Sequence, residues 1–191
     1  MIALKPNNIE KIITALKNGP VLVLPTDTVY GLVCDAKNEK AVEKIFEIKE
    51  RNKSKPLAVF VKDLKMAKEY AEISKEQEVV IKKSWPGAVT FILKSKNIEV
   101  GPLSALVYGE GTIGMRAPDY DLIKNIFSEF SSPLAQTSAN ISGNPATTKT
   151  SEVLNELSDK DVIIVDAGDL PSARPSTIID LTQNIVKTLR K

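Results

Sequence analysis

Apolar residues recur along the chain with two alternating periods. Across residues 8–18 they fall at Ile9, Ile12, Ile13 and Leu16, the spacing of a helix with one buried side. Gly19-Pro20 ends that pattern. Residues 21–24 are an unbroken apolar run of strand length, closed by Pro25. A second helix is predicted from Asn38 or Glu39 to about Glu50, with Ala41, Val42, Ile45, Phe46 and Ile48 inward. A strand follows over 57–61, then short helices over 64–71 and 75–84, a turn at Trp85-Pro86-Gly87 and a strand over 89–93. Residues 100–111, rich in glycine and turn formers, fit neither period. Further on, the pattern predicts a strand over 112–116, a helix over 119–130 and a short strand over 134–137. After a loop over 144–150, Ser151 is the expected N-cap of a helix over 152–157. Strands are expected over 162–165 and 177–181, separated by a loop over 168–175, and a last one over 185–189.

Strands thus alternate with helices, and many strands are apolar throughout. That combination predicts an α/β sheet with both faces largely covered. There is no internal repeat, low-complexity tract or linker, so residues 1–191 read as a single domain. Polar clusters follow the strand ends at Pro25, Arg116, Gln136 and Asp166, where α/β sheets commonly bind ligands.

Composition narrows the classes. A chain of 191 residues, 42% hydrophobic and 26% charged, is ordinary for a soluble globular protein. Its formal net charge of +2 argues against a fold devoted to nucleic acid while leaving room for a local basic patch. A lone cysteine, Cys34, excludes an internal disulfide, fits a reducing compartment and is expected simply to pack. No apolar run is long enough for a membrane span, and the first residues lack the pattern of a signal peptide, so a cytoplasmic location is expected. The absence of histidine is the sharper constraint. It removes the usual general base at neutral pH, Ser-His and Cys-His nucleophile pairs, and zinc sites that use histidine. An enzyme built from these residues must work by positioning, by Lys and Arg electrostatics, by carboxylates, or with a metal that arrives with its substrate.

The densest candidate chemistry lies in residues 133–143, Pro-Leu-Ala-Gln-Thr-Ser-Ala-Asn-Ile-Ser-Gly, a short apolar run opening into hydroxyls and amides. Such groups make a cradle for a polar ligand, yet they hold no strong anion without cations. Lys49 and Arg51 supply these if the helix stops near Lys49, because residues two apart share a face only in extended chain. Compensation of the helix dipole, in a solvated basic loop that includes Lys53 and Lys55, is the plainer reading of the same residues. Arg116 suits a substrate carboxylate, or else pairs with Asp119 on the surface. Pro25-Thr26-Asp27-Thr28 is either a polar turn or part of a site. Ser176-Thr177 alone reads as the entry to a strand, and Trp85 as an apolar anchor. The string Gly109-Glu110-Gly111-Thr112-Ile113-Gly114 matches a dinucleotide fingerprint but lacks the helix that the motif requires, and no phosphate-loop pattern is present.

Taken together, residues 25–32, Lys49-Glu50-Arg51 with Lys55-Pro56-Leu57, Trp85-Pro86-Gly87 with Thr90, residues 112–116, Ser138-Ala-Asn140-Ile-Ser-Gly143 and residues 176–180 occur in the order of the YrdC/Sua5 family. The resemblance runs from about residue 8 to 190. Its most specific elements, the Lys-x-Arg and Ser-x-Asn pairs, set the chain apart from the related YciO branch. It implies a twisted, open, mixed α/β sheet flanked by helices, YrdC-like, with a concave basic cavity. It further implies a nucleotidyltransferase that makes L-threonylcarbamoyladenylate and pyrophosphate from L-threonine, bicarbonate and ATP, for the t6A modification at position 37 of tRNA. By position, Lys49, Arg51, Ser138 and Asn140 would be the catalytic set. Thr28, Arg116, Ser138 and Ser176 would hold threonine. Lys49, Arg51, Lys55, Thr112, Asn140, Thr148 and Arg190 would line the ATP side. Mg2+ would come with ATP rather than on protein ligands, and proteins that transfer the threonylcarbamoyl group would act downstream, with direct tRNA contact left open. Two departures stand out. Phe60 occupies a position where many longer members carry a histidine, and the second C-terminal domain of those members has no counterpart before Lys191. Competing readings are a non-catalytic double-stranded RNA or tRNA binder using the same basic cavity, and a ligand sensor without turnover.

Overall fold

The computed structural model describes residues 2–96, 103–183 and 187–190. Its elements in chain order are β1 (Ile2–Leu4), α1 (Ile9–Asn18), β2 (Leu22–Leu24), β3 (Gly31–Asp35), α2 (Glu39–Lys49), β4 (Ala58–Phe60), α3 (Leu64–Tyr70), β5 (Ala71–Glu72), α4 (Lys75–Lys82), β6 (Val89–Ser95), β7 (Thr112–Arg116), α5 (Asp121–Glu129), β8 (Leu134–Ser138), α6 (Thr150–Glu156), β9 (Ile163–Val165), β10 (Thr177–Asp180) and β11 (Lys187–Arg190). A turn of 3-10 helix spans Ala105–Val107. Among the described residues no helix is long and apolar enough to cross a membrane.

Local sequence explains most of the boundaries. Gly19 ends α1 in the left-handed conformation at φ 93° and returns its N–H to the Ala15 and Leu16 carbonyls. Asn38 caps α2 by accepting from the Ala41 N–H. Ser74 and Gln77 form a reciprocal capping box at the start of α4. The expected Ser151 cap is wrong. The helix starts two residues earlier than expected, at Thr150, with Lys149 at the cap position and no local side-chain bond. The Thr150 N–H instead reaches Asp169 Oδ1 at 3.3 Å, so a carboxylate 19 positions away supplies the acceptor. Three strands, β1, β3 and β5, were not predicted. Of the unassigned stretch 100–111, residues 100–102 lie outside the described residues, as do residues 185 and 186 of the last predicted strand.

The strands form one open, mixed sheet in the order β1-β9-β2-β3-β8-β4-β7-β6-β10-β11, with β5 paired beside β6. Alternate side chains along each strand point to opposite faces. Leu22, Leu24, Val33, Phe60, Leu134 and Val165 pack with Ile12 and Leu16 of α1 and Ile123, Ile126 and Phe127 of α5. Val23, Leu32, Cys34, Val59, Ala135 and Ile164 pack on the other face with Val42, Ile45 and Phe46 of α2 and Val153 of α6. Cys34 is buried there, as expected, and burial beside Asp35 pushes its thiol far up from the ordinary range. The face that carries α1 and α5 is covered over only part of its width. Leu134 belongs to the helix-covered core, whereas Gln136 and Ser138, on the same side of the strand, open into a cavity.

Candidate active site

The cavity has a volume of about 220 Å³ and no helix residue among the described residues lining it. Strand residues Ala58, Gly114, Arg116, Thr90, Ile92 and Ile178 form its floor, and the walls come from the segments around Thr26–Gly31, Arg51–Leu57 and Pro175–Ser176. Small residues keep the floor low. A Cβ on Gly114 would stand 3.2 Å from Ile92 Cδ1 and 3.4 Å from the Ala58 Cβ. Three arginines, Arg51, Arg116 and Arg190, line the cavity, with no aspartate or glutamate among the described lining residues.

Arg116 ends β7 and is 3% exposed. Its Nε donates to the Gly87 carbonyl at 2.9 Å, Nη1 to Thr28 Oγ1 at 3.0 Å, and Nη2 to the Asp27 carboxylate. The guanidinium carbon lies 5.7 Å from the centroid of the Phe60 ring, a cation–π distance. Burial lowers its pKa, and the neighbouring Asp27 opposes that shift. The expected alternative partner, Asp119, does not pair with it. Asp119 pairs with Lys124 and gives its own N–H to Asp27 Oδ2 at 3.0 Å.

Lys49 is the last residue of α2, and Glu50 follows in the left-handed conformation at φ 52°. The helix therefore stops where the convergence of Lys49 and Arg51 requires. The Lys49 side chain does not enter the cavity, however. It is 2% exposed, and its ammonium donates to Ser138 O at 2.7 Å, Asn140 O at 2.6 Å and Asn140 Oδ1 at 3.2 Å. These contacts use all three of its protons. The Lys49 carbonyl accepts the Ser142 N–H at 2.8 Å. One lysine thus clips the end of α2 to the turn that follows β8. Burial, with help from Arg51 and against Glu156, brings its pKa down to about 8. Asn140 is buried and spends its amide N–H groups on the Ile141 and Asn144 carbonyls. Arg51 lines the cavity and reaches back to the Lys55 and Pro56 carbonyls at 3.0 and 3.2 Å, with its pKa lowered by burial.

On the far wall Ser176 is buried and shares a hydrogen bond of 2.8 Å with Thr90. Arg190 on β11 holds the Ser176 carbonyl through Nε at 2.9 Å and Nη2 at 2.7 Å. Its pKa is lowered by burial and next by Arg116, so the two cations act on each other across the cavity. An anion placed between them relieves that repulsion.

Of the residues singled out from the sequence, Thr28, Arg51, Arg116, Ser138, Ser176 and Arg190 line one cavity. Lys49 and Asn140 stand immediately behind Ser138. Lys55, Thr112 and Thr148 do not line it. Lys55 is exposed, Thr112 opens β7, and the Thr148 carbonyl takes the Leu170 N–H at 2.8 Å. Sequence reasoning missed Asp27 and Gly87 as the partners of Arg116, though both lie in segments it had marked. Trp85 anchors its turn as expected, with Nε1 2.7 Å from the Val89 carbonyl and its ring 5.7 Å from that of Phe91. The glycine string at 109–114 runs into strand β7, so the dinucleotide reading fails for the expected reason. Among the described residues no group of three or more His, Cys, Asp or Glu side chains is placed to hold a metal.

Comparison with known proteins adds a second line of evidence. The Sua5_yciO_yrdC family model, described as "Telomere recombination", matches residues 14–191. The chain is 35% identical over 174 residues to a Methanocaldococcus jannaschii protein, covering 91% of this chain and 80% of that one. It is 35% identical over 176 residues to the threonylcarbamoyl-AMP synthase of Bacillus subtilis, covering 92% of this chain and 50% of that protein. The synthase of Vibrio vulnificus is 33% identical over 178 residues, covering 91% of this chain and 94% of the relative. Among solved structures, P. abyssi Sua5 complexed with L-threonine superposes with a TM-score of 0.89 at 32% identity, covering 99% of this chain and 56% of that one. The chain therefore spans about half the length of some relatives and nearly all of others.

Proposed function

The chain belongs to the Sua5, YciO and YrdC family, and from that premise we propose that it is an L-threonylcarbamoyladenylate synthase. It joins L-threonine, bicarbonate and ATP into threonylcarbamoyl-AMP and releases pyrophosphate, a product that serves tRNA t6A37 formation. The observation that carries this reading is one cavity lined by Thr28, Arg51, Arg116, Ser138, Ser176 and Arg190, in a chain 33% identical to a synthase of nearly the same length.

The chemistry suits a protein without histidine. Bicarbonate gives carbon dioxide and hydroxide; the threonine amine adds to the carbon dioxide and its proton goes to that hydroxide, leaving a carbamate and one water. A carbamate oxygen then attacks the α-phosphorus of ATP, and the bond to pyrophosphate breaks. The carbamate is already anionic, so the displacement depends on alignment and charge neutralisation more than on a base. Arg116 would take the threonine carboxylate, with Ser176 on the opposite wall. Arg51 and Arg190 would face phosphate. Lys49 would act from behind the Ser138–Asn140 turn, holding its shape and lending a positive charge at short range. Magnesium enters as MgATP, keeping much of its water shell.

Lys49→Ala and Arg51→Ala test this set. Each should lower threonylcarbamoyl-AMP formation, followed by chromatography and mass spectrometry, by about a hundredfold or more. Arg51→Ala should do so with an unchanged circular dichroism spectrum. Wild-type turnover in both variants would overturn the assignment.

A further inference from the structure

A chain of hydroxyls beside Arg116 has a fixed direction. Thr26 Oγ1 donates its single proton to the Val29 carbonyl at 2.7 Å. It therefore acts only as an acceptor toward the Thr28 N–H at 3.1 Å and toward Thr28 Oγ1 at 3.0 Å. The Thr28 proton is in turn spent on Thr26, and one lone pair of Thr28 Oγ1 takes Nη1 of Arg116 at 3.0 Å. A single acceptor position is left on Thr28 Oγ1, which lines the cavity. A carboxylate has no proton to offer there, whereas an amine does. Arg116 complements this. Of its five N–H groups, Gly87, Thr28 and Asp27 engage three, leaving one on each terminal nitrogen for a carboxylate. Asp27 fixes that arrangement, since its other oxygen is held by the Asp119 N–H at 3.0 Å.

We infer that Thr26 and Asp27 are positioning residues that set the direction in which the cavity reads its amino acid, with the amino group on Thr28 and the carboxylate on Arg116. The inference rests on threonine being the substrate. It also has a chemical consequence. An acceptor engages an N–H and leaves the nitrogen lone pair free, which carbamate formation requires, while a donor at the same place would cap that lone pair.

Steady-state kinetics of the full chain separate this role from a structural one. Thr26→Val keeps the shape and removes the acceptor, so the Thr28 proton is released to face the ligand. Its KM for threonine should rise about tenfold and kcat should fall, because the freed Thr28 proton caps the amine lone pair, with the KM for ATP within about twofold of wild type. Inhibition by 3-hydroxybutyrate, which lacks the amine, should become stronger relative to threonine binding. Thr26→Ser should restore these values, and Asp27→Asn should raise the threonine KM by a similar factor. An unchanged threonine KM in Thr26→Val and Asp27→Asn, or an equal rise in the KM for ATP, would overturn the inference. If wild-type pyrophosphate release needs no threonine at all, the synthase reading fails as well. If it needs threonine and the variants match wild type, this inference alone fails.

Discussion

Lys49 is a cation almost fully removed from water, kept charged at neutral pH by three carbonyl acceptors. Burial has brought its pKa from 10.5 down to about 8. In the unfolded chain the amine stays protonated to pH 10.5, so between about 8 and 10.5 the unfolded state holds the extra proton. The contribution of Lys49 to stability therefore increases with pH across that window, by an amount on the order of 3 kcal/mol. Activity should move the other way, because the neutral amine loses both its charge and one donor to the Ser138–Asn140 turn. At saturating threonine and bicarbonate, kcat/KM for ATP should fall above about pH 8 on one ionisation, with kcat holding to higher pH because bound phosphate favours the ammonium. A flat kcat/KM profile to pH 10 would contradict this role; a melting temperature that does not drop in step would exclude unfolding as the cause. At this scale the residue types were legible in the sequence, but the partners were not. Asp119 lies three positions from Arg116 and looked like its counter-ion, whereas the true one, Asp27, lies 89 positions upstream. Only the sheet order, which brings the segment after β2 beside the end of β7, decides between them.

At the scale of elements, the turn at residues 85–87 does more than connect α4 to β6. The Gly87 N–H bonds the Ala117 carbonyl at 2.8 Å while its own carbonyl takes Arg116 Nε. A Cβ on Gly87 would come within 2.7 Å of the Ser84 carbonyl oxygen, closer than any relaxed contact. Gly87→Ala should therefore shift this turn, lower stability by about 1–3 kcal/mol and raise the KM for threonine. Thermal melts and threonine titrations check both effects. Helices α1, α2 and α5 were readable because amphipathic spacing is local, and Gly19 and Asn38 mark the end of α1 and the start of α2. Strand β3 was not, because it follows directly on the polar 25–30 segment and begins with a glycine that the neighbouring Thr137 carbonyl crowds. The α6 cap failed for a related reason, since its acceptor, Asp169, comes from another part of the chain.

Across the whole molecule, the cavity exists because α1 and α5 cover one part of a sheet face and leave the rest to β4, β7, β6 and β10. Alternation along the strands then puts Arg116, Thr90, Gln136 and Ser138 on the open side without any special local structure. The α/β class could be anticipated from alternating apolar periods, and the open, mixed sheet from the family resemblance. The placement of the cavity could not, because it depends on which strands are neighbours. Relatives named threonylcarbamoyl-AMP synthase include one of nearly this length and one about twice as long. The most direct test of the account is pyrophosphate release from MgATP by the purified chain, with threonine and bicarbonate added separately and together. Release that requires both is the predicted result. Release with neither, or none with both present, would contradict the synthase assignment.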